Sequence, residues 1–122
     1  MHVLIIDDNE LLRDTMRRAF EAAGHTASLA RNGEEGVEAL AARLPDVVVT
    51  DIIMPEREGV ETIIAIRQAH PALPIVAISG GGRMTAMSLL DLAAKFGADA
   101  TLQKPFRPKE LIALAEDLAA KS

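Results

Sequence analysis

The chain has 122 residues, enough for one ordinary domain, and is 49% hydrophobic but only 2% aromatic, so its core must be aliphatic. It has no cysteine, which excludes a disulfide scaffold, thiol chemistry and a cysteine-ligated metal. With 13 Lys and Arg against 18 Asp and Glu, the net charge of −5 argues against nonspecific nucleic-acid binding. No apolar run approaches the roughly 18 residues of a membrane span and no signal peptide opens the sequence, so a cytoplasmic protein is expected.

In chain order the pattern alternates strand and helix five times. The first strand, near 2–6, contains Val3-Leu4-Ile5-Ile6 and is followed by Asp7 and Asp8. A helix over 10–23 carries Leu11, Leu12, Thr15, Met16, Ala19, Phe20 and Ala23 at helical spacing, with Gly24 as its stop. The second strand, near 25–30, is the most polar and is assigned to an edge. The second helix, over 34–43, opens with Asn32-Gly33-Glu34-Glu35, which fits a capping box. The third strand, near 46–50, contains Val47-Val48-Val49-Thr50 and leads to Asp51. A helix over 60–69 ends at His70-Pro71. The fourth strand, near 74–78, contains Ile75-Val76-Ala77-Ile78 and leads to Ser79. A helix over 85–96 stops at Gly97, a strand near 99–103 leads to Lys104-Pro105, and a last helix runs over 108–120 with Pro108 in its first turn.

Alternating strand–helix units with short connections imply a parallel α/β sheet, covered by helices on both faces and joined by right-handed crossovers. Such a sheet places its ligand outside the carboxyl ends of its strands. Asp7, Asp8, Asp51, Ser79 and Lys104 should therefore converge on one rim. A single acid there is an ordinary turn former, and Asp8 alone reads as a cap of the first helix. The joint placement on four strands, with none from the presumed edge, is what points to chemistry.

Three carboxylates in one pocket repel, and a hard cation such as Mg²⁺ relieves that repulsion. Phosphoryl transfer needs mainly positioning and charge stabilisation, and an aspartate can be its nucleophile. Lys104 supplies a second positive charge and Ser79 a hydroxyl donor.

These residues resemble the receiver domain of two-component response regulators over essentially the full length, residues 1–122. The resemblance is carried by Ile6-Asp7-Asp8-Asn9, by Asp51-Ile52-Ile53-Met54-Pro55 with Gly59, by Ile78-Ser79-Gly80 and by Lys104-Pro105-Phe106. It implies a flavodoxin-like, doubly wound five-stranded parallel sheet in the order 2-1-3-4-5 with five helices. It further implies that Asp51 accepts a phosphoryl group from a histidine kinase or phosphotransfer protein. Asp8, Asp51 and the backbone carbonyl of Ile53 would bind Mg²⁺ directly, with Asp7 acting largely through a metal-bound water. Ser79 and Lys104 would contact the phosphoryl oxygens, and the Lys104–Pro105 bond would be cis. The expected output is partner binding, as a monomer or weak dimer, through the face of the 85–96 helix, the 99–103 strand and the 108–120 helix. Its catalysis would be confined to its own phosphorylation and dephosphorylation. The sequence ends just after the last helix, so a stand-alone receiver is the leading expectation. A receiver cut from a longer regulator, with a DNA-binding or enzymatic output, is the alternative.

Two departures from the family pattern matter. Thr101 stands where members often carry an aromatic switch residue, which shifts the expected conformational change to Gly80-Gly81-Gly82 and the following helix. Ile53 and Gly81 offer no polar side chain to orient water, so slow loss of the phosphoryl group is expected.

Other candidates are weaker. His2, His25 and His70 form no ligand set. Gly80-Gly81-Gly82-Arg83 lacks the Gly-Lys-Ser/Thr ending of a phosphate loop. Met84 and Met87, with Leu90 and Ala94, form a second apolar side of their helix opposite Leu89, Leu92, Ala93 and Phe96, which fits a partner surface as well as a wedged helix. In the last helix, Leu111, Ala115 and Leu118 read as buried and Leu114 as exposed. A phosphatase with Asp51 as nucleophile needs a second acid where Ile53 stands. A receiver-like docking module without phosphorylation would leave the full acceptor set unexplained.

Overall fold

The computed structural model describes residues 1–52, 58–79 and 97–121. Five strands form one parallel sheet: β1 (His2–Ile6), β2 (Thr26–Ala30), β3 (Val47–Asp51), β4 (Ile75–Ser79) and β5 (Ala100–Gln103). Their order is β2-β1-β3-β4-β5, as the sequence resemblance implied. The described helices are α1 (Glu10–Ala22), α2 (Gly33–Ala42), α3 (Glu58–Ala69) and α4 (Pro108–Lys121). The helix expected over 85–96 lies outside the described residues, as do Gly80-Gly81-Gly82, Arg83, Met84 and Met87.

The apolar runs of β1, β3 and β4 are buried throughout because both faces of the sheet are covered. Val3, Ile5, Val47, Val49, Val76 and Ile78 face one layer, where they pack with Met16 and Phe20 of α1 and Leu111 and Ala115 of α4. Leu4, Ile6, Val48, Ile75 and Ala77 face the other, against Leu40 of α2 and Ile63 and Ile66 of α3. Each fully buried side chain of this size stabilises the fold by roughly 1.5–3 kcal/mol. β2 and β5 are the edges, and both are more polar and more exposed.

Helix boundaries follow local chemistry. Asn9 caps α1, its side chain accepting from the Leu12 N–H at 3.1 Å. The cap is therefore Asn9 and not Asp8, which leaves the Asp8 carboxylate for other use. Asn32 caps α2 by accepting from the Glu35 N–H at 2.8 Å. The expected reciprocal half differs: Glu35 Oε1 accepts from the Arg31 N–H at 2.9 Å, one residue before the cap, because its carboxylate also pairs with the Arg31 guanidinium. Past the end of α1, Gly24 adopts φ +91°, a left-handed conformation that side chains disfavour.

Leu11 fits the apolar spacing of α1 and is 77% exposed, because it shares the outer face with Thr15 rather than the Met16–Phe20 face. Two readings of burial in α4 need correction. Leu118 is half-buried rather than buried, since it lines a shallow cleft with Ala72, Pro74 and Asp99; Leu114 is half-buried too, against the core. Among the described residues, no helix is long and apolar enough to cross a membrane.

Candidate functional site

Parallel register aligns the strand ends. Ile6 pairs with Thr50, Asp51 with Ile78 and Ser79 with Gln103. β3 and β4 each run one residue further than the sequence suggested, so Asp51 and Ser79 are the last residues of their strands. The ladder continues because the Ile52 N–H donates to the Ile78 carbonyl at 2.9 Å and the Lys104 N–H to the Ser79 carbonyl at 2.8 Å. Asp7 and Asp8 leave β1, and Lys104 leaves β5, at the same rim.

One carboxylate oxygen each from Asp7, Asp8 and Asp51 lies within 4.8 Å of the others. Asp7 and Asp51 are buried and Asp8 is exposed, so two acids form the floor and one the mouth. Lys104 Nζ reaches in from β5, 3.1 Å from Asp51 Oδ2 and 4.0 Å from Asp7 Oδ2. Ser79 is fully buried beside them at the end of β4. The Lys104–Pro105 peptide bond is cis. Thr101 is exposed on β5, at the position where the family pattern often has an aromatic residue. Ile53, whose carbonyl the resemblance made a metal ligand, lies outside the described residues.

Asp7 is held from two sides. Its Oδ1 accepts from the Asn9 N–H at 2.9 Å, and its backbone carbonyl accepts from Arg13 Nη1 at 2.7 Å. Its Oδ2 is buried without a hydrogen-bond donor among the described residues. Burial pushes the Asp7 carboxyl up to about 6, and the Asp51 and Asp8 charges act the same way; the Asn9 N–H and the Lys104 ammonium oppose them.

A buried carboxylate oxygen without a donor, inside a triad of acids and against one lysine, is a poor arrangement for the protein alone. It is a good one for a small hard cation: the donors are all oxygen, and Mg²⁺ takes one or two carboxylates together with waters and phosphate oxygens. Asp7, Asp8 and Asp51 fit such an ion.

The sequence pointed to every one of these acids, to Ser79 and to Lys104, because each ends a strand. It missed Arg13, whose hydrogen bond to Asp7 depends on the turn between β1 and α1 and leaves no motif. It also gave no sign of an open cleft at α1. Leu11 and Leu29, the latter 40% exposed, line an open cleft of about 400 Å³ with Glu10, Arg13 and Asp14.

Comparison with known proteins agrees with this geometry. Residues 3–116 match the response regulator receiver domain family. The chain is 40% identical over 117 residues to the DNA-binding transcriptional regulator NtrC of Escherichia coli strain K12, an alignment covering 93% of this chain and 24% of NtrC. It is 33% identical over 114 residues to the response regulator MprA of Mycobacterium ulcerans, covering 93% of this chain and 47% of MprA. The chain thus spans about a quarter to a half of the curated relatives it matches. The crystal structure of the receiver domain of NtrX from Brucella abortus superposes with a TM-score of 0.90 at 29% identity, covering 98% of this chain and 99% of that one. The chain belongs to the response regulator receiver domain family of two-component signalling.

Proposed function

We propose that this receiver is a phosphorylation-dependent switch whose acceptor is Asp51. The observation that supports the reading best is the convergence of three carboxylate oxygens within 4.8 Å, with Lys104 bound to Asp51. Asp51 would attack the phosphorus of a phosphohistidine on a histidine kinase or phosphotransfer protein. A P–O bond forms to the carboxylate as the P–N bond breaks, and the electron pair leaves on the imidazole nitrogen, which takes up a proton.

Asp7, Asp8 and Asp51 would hold Mg²⁺, with the Ile53 carbonyl as the further ligand that family resemblance implies. When bound, the ion supplies positive charge beside the acceptor and orients phosphoryl oxygens. Lys104 would pass from Asp51 to a phosphoryl oxygen, and the Ser79 hydroxyl would donate to another. The aspartyl phosphate adds up to about two negative charges, the local event that a switch must transmit. Transmission would run to the face that includes β5 and α4 and, there, to a downstream protein. The receiver's catalysis would be confined to its own phosphorylation and dephosphorylation.

Intact mass after incubation with acetyl phosphate tests this reading. The wild type should gain one phosphoryl group only when Mg²⁺ is present, and Asp51→Ala should gain none. Uptake by Asp51→Ala equal to wild type would contradict it.

A second reading concerns the protein around the domain. NtrC is a DNA-binding regulator by name, and this chain covers 24% of it. That favours a receiver belonging to a longer regulator with a DNA-binding or enzymatic output over a stand-alone one. Sequencing the complete reading frame decides: an output domain on either side of residues 1–122 supports it, and a reading frame confined to them removes it.

A further inference from the structure

The geometry points to Arg13 as a positioning residue for the acidic rim: by clamping the backbone carbonyl of Asp7, it sets the aim of the Asp7 and Asp8 carboxylates toward a divalent cation. The inference rests on the reading of the rim as a Mg²⁺ site and adds a residue that the strand-end pattern does not contain.

Asp7 is the first residue after β1, and the chain must turn there into α1. Its N–H donates to the Ala30 carbonyl at 3.0 Å, continuing the sheet. Its side chain closes an Asx turn onto the Asn9 N–H at 2.9 Å. The Asp7 carbonyl lies past the last β1–β3 pair, Ile6–Thr50, and takes its hydrogen bond from Arg13 Nη1 at 2.7 Å. That bond fixes the peptide plane between Asp7 and Asp8, the link on which the two carboxylates diverge: Asp7 goes to the buried floor and Asp8 to the exposed mouth. The Arg13 backbone is held at the start of α1, where its N–H donates to the carbonyl of the cap residue Asn9 at 2.9 Å. The guanidinium thus spans the turn it belongs to.

Arg13 reaches the rim through the backbone carbonyl of Asp7 and not through its carboxylate. Its action on the site is geometric. This separates two signs. An arginine acting by charge would repel a divalent cation, so its removal would tighten Mg²⁺ binding. An arginine acting by position holds ligands in place, so its removal weakens binding.

The experiment is calorimetric Mg²⁺ titration of wild type, Arg13→Ala, Arg13→Lys and Arg18→Ala, with thermal melts in chelator alongside. Arg18 lies on the same helix, 74% exposed and paired with Asp14, so it controls for the loss of one positive charge. Alanine keeps the helix but takes the donor from the Asp7 carbonyl, so Arg13→Ala should melt somewhat lower in chelator, and all four proteins are titrated well below their melting temperatures. Arg13→Ala should bind Mg²⁺ roughly tenfold more weakly, the low end of what outer partners of metal ligands cost. Arg13→Lys, which keeps a donor, should recover part of that loss, and Arg18→Ala should bind like wild type or slightly more tightly. Unchanged or tighter binding by Arg13→Ala would overturn the positioning role. A wild type that binds no Mg²⁺ would instead overturn the reading of the rim on which the role depends.

Discussion

Lys104 Nζ donates to Asp51 Oδ2 across 3.1 Å, and Asp7 Oδ2 stands 4.0 Å away on its other side. One ammonium therefore balances two buried acids before any cation arrives. The Lys104 side chain is 26% exposed and that of Asp51 only 5%, so screening by water is partial. Lys104→Ala leaves Asp7 and Asp51 facing each other without a counter-charge. Its stability in chelator should fall by about 2 kcal/mol, below the full cost of breaking a fully buried pair. Mg²⁺ should restore more stability to this variant than to wild type, because the ion replaces the missing charge. Urea denaturation with and without Mg²⁺ reads both effects, and equal Mg²⁺ stabilisation of the two proteins would contradict the argument.

Asp7 gives the apo protein an unusual pH dependence. Its carboxyl sits at about 6 in the fold against 3.8 as the ordinary value. Between these values the folded chain binds more protons than the unfolded one. The contribution is thus present below about pH 4 and is lost as pH rises through about 6, at a cost of ~3 kcal/mol by neutral pH. Buried His2 opposes this: burial, then the Arg43 charge, lower its imidazole, so its contribution falls as pH drops below 6.5. The difference between wild type and Asp7→Asn isolates the first effect. In chelator, Asp7→Asn should be more stable than wild type near pH 7.5, and the advantage should shrink steadily toward pH 5. Saturating Mg²⁺ should erase it by stabilising only the wild type. A pH-independent difference would rule this account out.

The site should separate cleanly from the opposite end of the sheet. Arg67 of α3 donates to the Gly97 carbonyl at 2.7 Å and 3.1 Å, to the Pro71 carbonyl at 2.8 Å and to Asp99 Oδ2 at 2.7 Å. Asp99 Oδ2 in turn accepts from the Ile75 N–H at 2.8 Å, where β4 begins. Arg67→Ala should lose about 2–3 kcal/mol, since it strands carbonyls and a carboxylate together. Below its melting temperature it should still take up a phosphoryl group from acetyl phosphate at the wild-type rate. A large loss of rate in a folded variant would mean that the two ends are coupled.

With Asp51 as the acceptor, residues 53 and 81 should set the lifetime of the phosphorylated state. Ile53 cannot orient an attacking water and Gly81 has no side chain to help. After removal of the phosphodonor, wild type should lose its phosphoryl group several-fold more slowly than Ile53→Glu. Equal decay, followed by intact mass, would show that position 53 does not govern hydrolysis.

The acids were legible in the sequence because a buried parallel strand is an unbroken apolar run, and a polar residue that ends it must lie at the rim. That reasoning found Asp7, Asp51, Ser79 and Lys104 without knowledge of the register, and it put the polar strand β2 at an edge. Asp8 was ambiguous, since an acid before a helix is an ordinary cap; only the capping of α1 by Asn9 removes the ambiguity. Arg13 was invisible because its partner is a backbone carbonyl, which every residue has. The exposure of Leu11 was invisible for a related reason. Helical spacing gives the face of a residue but not what stands opposite, and Leu11 meets only an open cleft shared with Leu29.

The central claim is that Asp51 carries the phosphoryl group. Borohydride reduction after acetyl phosphate treatment, followed by peptide mapping, tests it most directly, because reduction converts an aspartyl phosphate to homoserine at the modified position alone. Homoserine at position 51, formed only when Mg²⁺ was present, is the expected result. Homoserine at another carboxylate, or none in a folded protein that binds Mg²⁺, would contradict the account.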